Sequence, residues 1–378
     1  MHKCDQKYTV AIAGATGYAG QEALRIMEQH PNFDVTCVTG HSSVGCSMQE
    51  YAPHIPSIAG LRVEETSASV LSGHDIVILA LPHGASGKLA SQLHDVRVVI
   101  DLGADHRLEN PLDWDEFYGG EYYESWAYGM PELIMGENSN DVDAQYSIRD
   151  CVGIPKQRGN LKGASRIAGP GCNVTAVTLA FQPAITAGLV TSDIIANLVV
   201  GYSGAGRKLG QANLLAAQAL GNAVAYSVGG KHRHIPEIKQ NFAHAAGLGA
   251  VDAHQFSLGF TPVLVPMSRG IMATVCAPLS KQAQDMSDDD IRQVYDDVYA
   301  TEKFIHMLPE SVLPQVSSVI GSNSAHIQIS IDRKANLMYA FSAIDNLNRG
   351  TAGQAIQSLN IALGLPEDAG LTTIGVAP

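Results

Sequence analysis

The sequence predicts an α/β protein in two parts: a parallel sheet covered on both faces, followed by an α+β part whose sheet is mostly antiparallel. Three observations predict it. From Tyr8 to Leu102 short apolar runs alternate with helical stretches, whereas from about position 190 the runs lengthen and few helices intervene. The chain has 378 residues, 46% hydrophobic and 16% charged, which suffices for a large core and for two or three domains.

Taken in order, Tyr8–Ala13 reads as a strand that passes through a glycine-rich turn into a helical pattern over Gln21–Gln29. Phe33–Thr39 reads as the next strand and ends at GHSSVG, and DIVILAL (75–81) and VRVVIDL (96–102) each close on a polar or glycine-containing loop. Residues 136–164 are polar and weakly periodic, which predicts a surface excursion. IIANLVVGY (194–202), HQFSLGFTPVLVP (254–266), GIMATVCAPL (270–279), AHIQISID (325–332) and LMYAFSAID (337–345) supply the second sheet. Between them, 287–305 reads as a helix capped by Ser287 with acids in its first turn. A last helix over 350–365 is stopped by Gly364 and Pro366.

The formal charge of −13 and the lack of a basic stripe argue against a nucleic-acid partner. Neither a signal-peptide pattern nor a membrane-spanning apolar run is visible, so the expectation is a cytoplasmic protein with no membrane contact. The six cysteines, Cys4, Cys37, Cys46, Cys151, Cys172 and Cys276, are scattered with no spacing suited to a disulfide framework or to zinc. No metal is expected.

Gly14-x-x-Gly17-x-x-Gly20 joins the first strand to the first helix. Glycines there allow a tight turn and let backbone N–H groups approach a pyrophosphate at a helix N-terminus, which marks a Rossmann-type dinucleotide site. Thr16 and Tyr18 lie within that turn. The same glycines also serve to pack strand on helix. At the end of the second strand, where an NAD site usually carries an acid for the ribose, the chain has His41, Ser42 and Ser43. With no carboxylate to repel a 2′-phosphate, NADP is favoured over NAD; the alternative is that HSSVG is only a solvated loop.

Most buried cysteines are small inert hydrophobes. Cys172 differs because Gly-Pro-Gly precedes it and a helical pattern follows, so its sulfur is expected near a helix N-terminus, where the dipole favours thiolate. A nucleophile needs a proton partner, and the only dense histidine cluster is His232-Arg233-His234. Either histidine fits, with His232 slightly preferred; the segment also reads as a solvated basic turn before a helix begun by Pro236-Glu237. Arg207, in SGAGR beside Ser203, and Arg269, in MSRG, each place a cation among small residues where it suits an anion or a plain turn.

The segments GATGYAG (14–20), LALPHGAS (79–86), DLGADHRL (101–108), YGMPEL (128–133), GPGCNVTA (169–176), GYSGAGR (201–207), HRHIPEI (232–238), LVPMSRGI (264–271) and IDNLNRGTAGQAIQSLNIALGLPE (344–367) follow one another across almost the whole chain. As a set they resemble the N-acetyl-γ-glutamyl-phosphate reductase family of arginine biosynthesis, within the semialdehyde dehydrogenase group. The resemblance implies NADPH-dependent reduction of an N-acetylated acyl phosphate, a small-molecule substrate, to a semialdehyde with release of phosphate. It implies a thioester on Cys172, a histidine of the HRH segment as proton donor, and Arg107, Ser203, Arg207 and Arg269 as holders of phosphate or carboxylate. It further implies that Asn346 lies near the nicotinamide and that the last helix returns to the first part. The cofactor domain would then comprise 1–170 and 346–378, the catalytic and oligomerisation domain 171–345, and the protein would be a homodimer or homotetramer. A relative acting on aspartate semialdehyde or a carrier-bound amino-acid phosphate, and a non-catalytic NADP-binding redox sensor, are the alternatives.

Overall fold

The computed structural model describes residues 7–136, 153–207 and 216–377. Cys4, Cys151 and residues 137–152 of the expected excursion lie outside the described residues.

The first sheet contains β1 (Tyr8–Ala13), β2 (Phe33–Gly40), β3 (Val63–Glu65), β4 (Ile76–Leu79), β5 (Val98–Asp101), β6 (Ala127–Tyr128) and β7 (Arg166–Ala168). Its order is β3-β2-β1-β4-β5-β7-β6, and every pairing is parallel. The strand order reverses between β1 and β4, the point at which open parallel sheets leave a crevice for ligands. Helix α1 (Tyr18–Met27) begins three residues earlier than its periodicity suggests, because Gly20 belongs to the helix rather than to the turn. A Cβ on Gly20 would stand 2.4 Å from the Gly14 carbonyl oxygen and 2.7 Å from the Ala15 Cα, so only glycine lets the helix sit on the turn.

The second sheet contains β8 (Asp193–Val200), β9 (Val224–Ala225), β10 (Ser257–Leu264), β11 (Ile271–Pro278), β12 (Ile305–Met307), β13 (Ala325–Asp332) and β14 (Leu337–Ile344), in the order β12-β13-β14-β11-β8-β10-β9. Four of its six pairings are antiparallel, as the sequence predicts; β8 with β10 and β12 with β13 are parallel. A parallel neighbour requires a crossover, and the chain between β8 and β10 supplies one containing helix α3 (His234–Ala245). Helix α2 (Cys172–Thr186) packs on α3, β11 and β14, and every residue from Asn173 to Thr186 is buried. Among the described residues the opposite face of this sheet is uncovered along β8, where buried and exposed residues alternate, with Ile195 and Val199 among the exposed ones. Helix α4 (Asp288–Tyr299) carries the expected Ser287 cap as a full capping box with Asp290. It stops short of position 305 because Ile305 enters β12.

The chain then returns. After β14 a single wide turn (Asn348–Ala352, i→i+5 bonded) leads into α5 (Gly353–Leu363), which ends at Gly364 in the left-handed region, φ 70°. Ala355, Ile356, Leu359 and Ile361 of α5 share one apolar core with Val10, Ile12, Ile78 and Ile100 of the first sheet. An ion pair fixes this return. Arg349 and Glu132, both fully buried, meet at 2.6 Å, and Gln357 donates to the other Glu132 oxygen at 2.7 Å while accepting from Arg349 at 2.7 Å.

Removing one member of a buried pair strands the other charge. Arg349→Met is therefore expected to cost about 3–5 kcal/mol in urea unfolding, and a Glu132→Leu, Arg349→Met double variant distinctly less. A double variant weakened as much as the single one would show that the pair does not act as a unit.

Candidate active site

The carboxyl ends of the first sheet open onto a cleft of about 1210 Å³ that runs from the glycine-rich turn to the N-terminus of α2. Its cofactor end is built as the glycine pattern predicts. Gly14 has φ 77°, and a Cβ there would stand 2.3 Å from the Ala80 carbonyl oxygen, so the turn between β1 and β4 accepts only glycine. Gly14, Thr16, Gly17, Tyr18 and Ser42 line the cleft, while Ser43 is buried beneath it with its hydroxyl 3.4 Å from that of Thr16. No Asp or Glu lines the cleft among the described residues; its charged lining consists of Lys88, Arg107 and Arg207, with His41, His83 and His234 beside them. In a chain with a formal charge of −13, that local excess of cations suits an anionic ligand. The glycine cradle fits the pyrophosphate of a dinucleotide.

At the other end Cys172 is the first residue of α2, with Gly171 as its N-cap. The turn is held by Glu237, whose Oε1 accepts the Gly171 N–H at 2.9 Å and the Tyr128 hydroxyl at 2.7 Å. From the other side Gly350 closes on the cysteine: a Cβ there would stand 2.8 Å from the Cys172 Cβ. Burial pushes the Cys172 thiol up to about 11, with Arg107 and the N–H groups of Asn173 and Cys172 acting in the opposite direction. The sequence suggests a thiolate favoured by the helix dipole, and the surroundings reverse this: desolvation outweighs the helix end.

The two histidines separate. His234 lines the cleft, and its ring lies against Gly171, so close that a Cβ on that glycine would stand 2.6 Å from Nε2. Burial, then His232, Arg107 and His83, hold it well below the usual imidazole range, so it is neutral and able to take a proton. His232, the one slightly preferred from the sequence, stands behind it. Its ring packs on Phe260 and Tyr226 at 4.9 and 5.5 Å, and its Nδ1 accepts the His234 backbone N–H at 3.1 Å. Burial and Arg233 press its pKa down to about 4.

The arginines also divide. Arg107 donates to the carbonyls of Gly169 at 2.6 Å and Leu102 at 2.8 Å, and points its remaining nitrogen at Glu237 at 3.5 Å, so most of its donors brace the turn ahead of Cys172. Arg269 lies outside the cleft, lining an adjoining cavity with Ser203 and Arg207. Its guanidinium pairs with Glu22 and Asp345, each at 2.9 Å, which joins α1 to the end of β14. Arg207 lines the cleft from the opposite wall. Asn346 accepts the Gly270 N–H at 2.6 Å and donates to the Ser203 hydroxyl at 3.0 Å, so both polar side chains face the cleft in fixed orientations.

Sequence reasoning missed Glu237 as a member of the site. Its signal was present, since a residue three positions after His234 shares one face of a helix with it. The roles of Gly350 and of the Arg349–Glu132 pair required the return of the chain to be seen.

Two family models match this chain: semialdehyde dehydrogenase, NAD binding domain, over residues 9–141, and semialdehyde dehydrogenase, dimerisation domain, over residues 172–346. A protein named N-acetyl-gamma-glutamyl-phosphate reductase from Bifidobacterium longum (strain NCC 2705) is 65% identical, over 98% of this chain and 100% of its own length. One of the same name from Corynebacterium glutamicum (strain R) is 43% identical over 98% and 99%. Among solved structures, aspartate semialdehyde dehydrogenase II of Vibrio cholerae, complexed with ASA, superposes with a TM-score of 0.63 at 16% identity, covering 95% of this chain and 99% of that one. Aspartate semialdehyde dehydrogenase with NADP from Candida albicans gives 0.64 at 16% identity, over 94% and 98%. At such identities the likeness is one of fold.

A thiol with a pKa of about 11 reacts through its small thiolate fraction, so alkylation of Cys172 by iodoacetamide in the free protein should rise about tenfold per pH unit until about pH 11. Peptide mass spectrometry reads the rate at this residue alone. A plateau near neutrality would show a thiolate already formed without ligand.

Proposed function

The chain belongs to the N-acetyl-γ-glutamyl-phosphate reductase family, and from that membership we propose that it reduces N-acetyl-γ-glutamyl phosphate to N-acetylglutamate 5-semialdehyde with NADPH, releasing phosphate, in arginine biosynthesis. The observation that carries the reading is that Cys172 and a neutral His234 line one end of a cleft with no carboxylate among its described residues, whose other end is a glycine-rich turn.

Binding of an acyl phosphate adds two or more negative charges beside Arg107 and His234 and displaces water. His234 takes the thiol proton, and the Cys172 sulfur bonds to the acyl carbon. The carbon–oxygen bond to phosphate breaks, leaving a thioester on Cys172 and free phosphate. NADPH supplies the hydride that the thioester carbon accepts. The protonated His234 then gives its proton to the developing oxyanion, and recovers it when the carbon–sulfur bond breaks to release the aldehyde. Glu237 keeps the Gly171 turn and Arg107 in place during these steps. Asn346 and Ser203 hold the middle of the cleft, where they would flank the nicotinamide, and His232 orients His234 through its backbone.

The cofactor unit in this reading comprises 1–170 together with 346–378, and 171–345 is the catalytic and oligomerisation unit. The shared core of α5 and the first sheet supports that division. The open face of the second sheet supports a homodimer or homotetramer. No helix among the described residues is long and apolar enough to cross a membrane, and the proposed location is the cytoplasm.

The assay runs in reverse, with N-acetylglutamate semialdehyde, phosphate and NADP, following the absorbance of the reduced nicotinamide. Cys172→Ser is expected to lose several orders of magnitude in kcat. His234→Gln should lose about 10²–10⁴-fold, the usual share of a general acid–base, and His232→Gln far less. Equal rates for wild type and Cys172→Ser would overturn the mechanism, and a preference for aspartate semialdehyde would overturn the substrate.

A further inference from the structure

The end of β2, where a 2′-phosphate would be read, has hydroxyls and an imidazole but no Arg or Lys from Gly40 to Gly45. A cation reaches this region from elsewhere. Arg207 follows the turn Tyr202–Ala205 at the end of β8, in the second sheet's part of the chain, and crosses the cleft to the first. Its Nη1 donates to the Thr16 carbonyl in the glycine-rich turn at 3.3 Å, and its Cζ stands 5.3 Å above the ring of Tyr51. Tyr51 is itself fixed: it closes the short helical turn Met48–Glu50, which Ser47 and Glu50 cap reciprocally, in the connection from β2 to β3.

The three arginines around the cleft differ in what they have left to offer. Arg269 is spent on two carboxylates and Arg107 on two carbonyls and Glu237. Arg207 has one carbonyl and a ring face, and no ion pair with any described residue. A guanidinium held over an aromatic ring and bonded to a single carbonyl has N–H donors left over, and two of them suit a phosphate bidentately.

We propose that Arg207 is the 2′-phosphate anchor of the cofactor, working with Ser42 and seated on Tyr51, so that the specificity-determining cation comes from the part of the chain that carries Cys172. This replaces its sequence-based assignment to the substrate and rests on the NADP reading above. Two consequences follow. The 2′-phosphate is read only when both walls of the cleft stand together, and the turn that delivers Arg207 is the one that delivers Ser203 to Asn346.

The test measures binding by calorimetry, without turnover, using adenosine 2′,5′-bisphosphate and adenosine 5′-monophosphate as probes. Wild type should prefer the bisphosphate. Arg207→Gln should weaken the bisphosphate about 10- to 100-fold, the range for a charge-assisted bidentate contact, and leave the monophosphate nearly unchanged. Tyr51→Leu should lose a smaller part of the same preference, and Arg207→Lys should fall between wild type and Arg207→Gln. Wild type without a preference would sink the NADP reading itself. A preference kept intact in Arg207→Gln would sink only the assignment of Arg207, and equal weakening of both probes would move the residue to the 5′-phosphate and overturn the proposal.

Discussion

The site depends on how tightly the first turn of α2 is gripped. Gly171 gives its N–H to the buried Glu237, and Gly350 lies against Cys172 with no room for a methyl group. A nucleophile must be held to fractions of an ångström relative to the carbon it attacks. A free-standing helix end does not provide this, because its first turn frays and its orphan N–H groups take water. Here three distant stretches of sequence converge on one sulfur, and each brings its own constraint: the turn before α2, the opening of α3, and the wide turn after β14.

Electrostatics then separates recognition from rest. The thiol is buried enough to stay protonated, and His234 is buried enough to stay neutral. Both conditions oppose proton transfer from sulfur to imidazole, since it creates a charge pair where burial disfavours each ion. The cleft carries no carboxylate among its described residues while the chain as a whole is strongly acidic; Glu22 and Asp345 are paired with Arg269, and the buried Asp101 and Asp105 accept backbone N–H groups. Arg269 joins two of those acids into a strut between α1 and the end of β14.

Much of this was legible in the residues. The βαβ opening, the buried parallel strands, the long second-sheet strands and the capped helix at Ser287 follow from periodicity and turn chemistry, which are local properties. Cys172 was legible because Gly-Pro-Gly before a helical pattern is itself local. What escaped depends on partners far along the chain. Nothing near Arg269 announces Glu22, which lies 247 positions away. Nothing in His-Arg-His says which ring faces forward, since that is set by Phe260 and Tyr226 packing behind the first. The sign of the thiol's shift was misjudged for the same reason: the helix end is visible in sequence, but the depth of burial around it is not.

The return of α5 also bears on how the protein comes into being. The apolar face of the first sheet is completed by Ala355, Ile356, Leu359 and Ile361, residues that follow the whole second sheet in the chain, so a nascent chain leaving the ribosome cannot finish its opening half until that second part has been synthesised. Throughout that interval an unfinished hydrophobic surface is on show, and closing it joins segments more than 300 positions apart, the slowest kind of contact to find. Once closed, the same arrangement works as a clasp. Helix α5 cannot peel away without opening the core of the opening half.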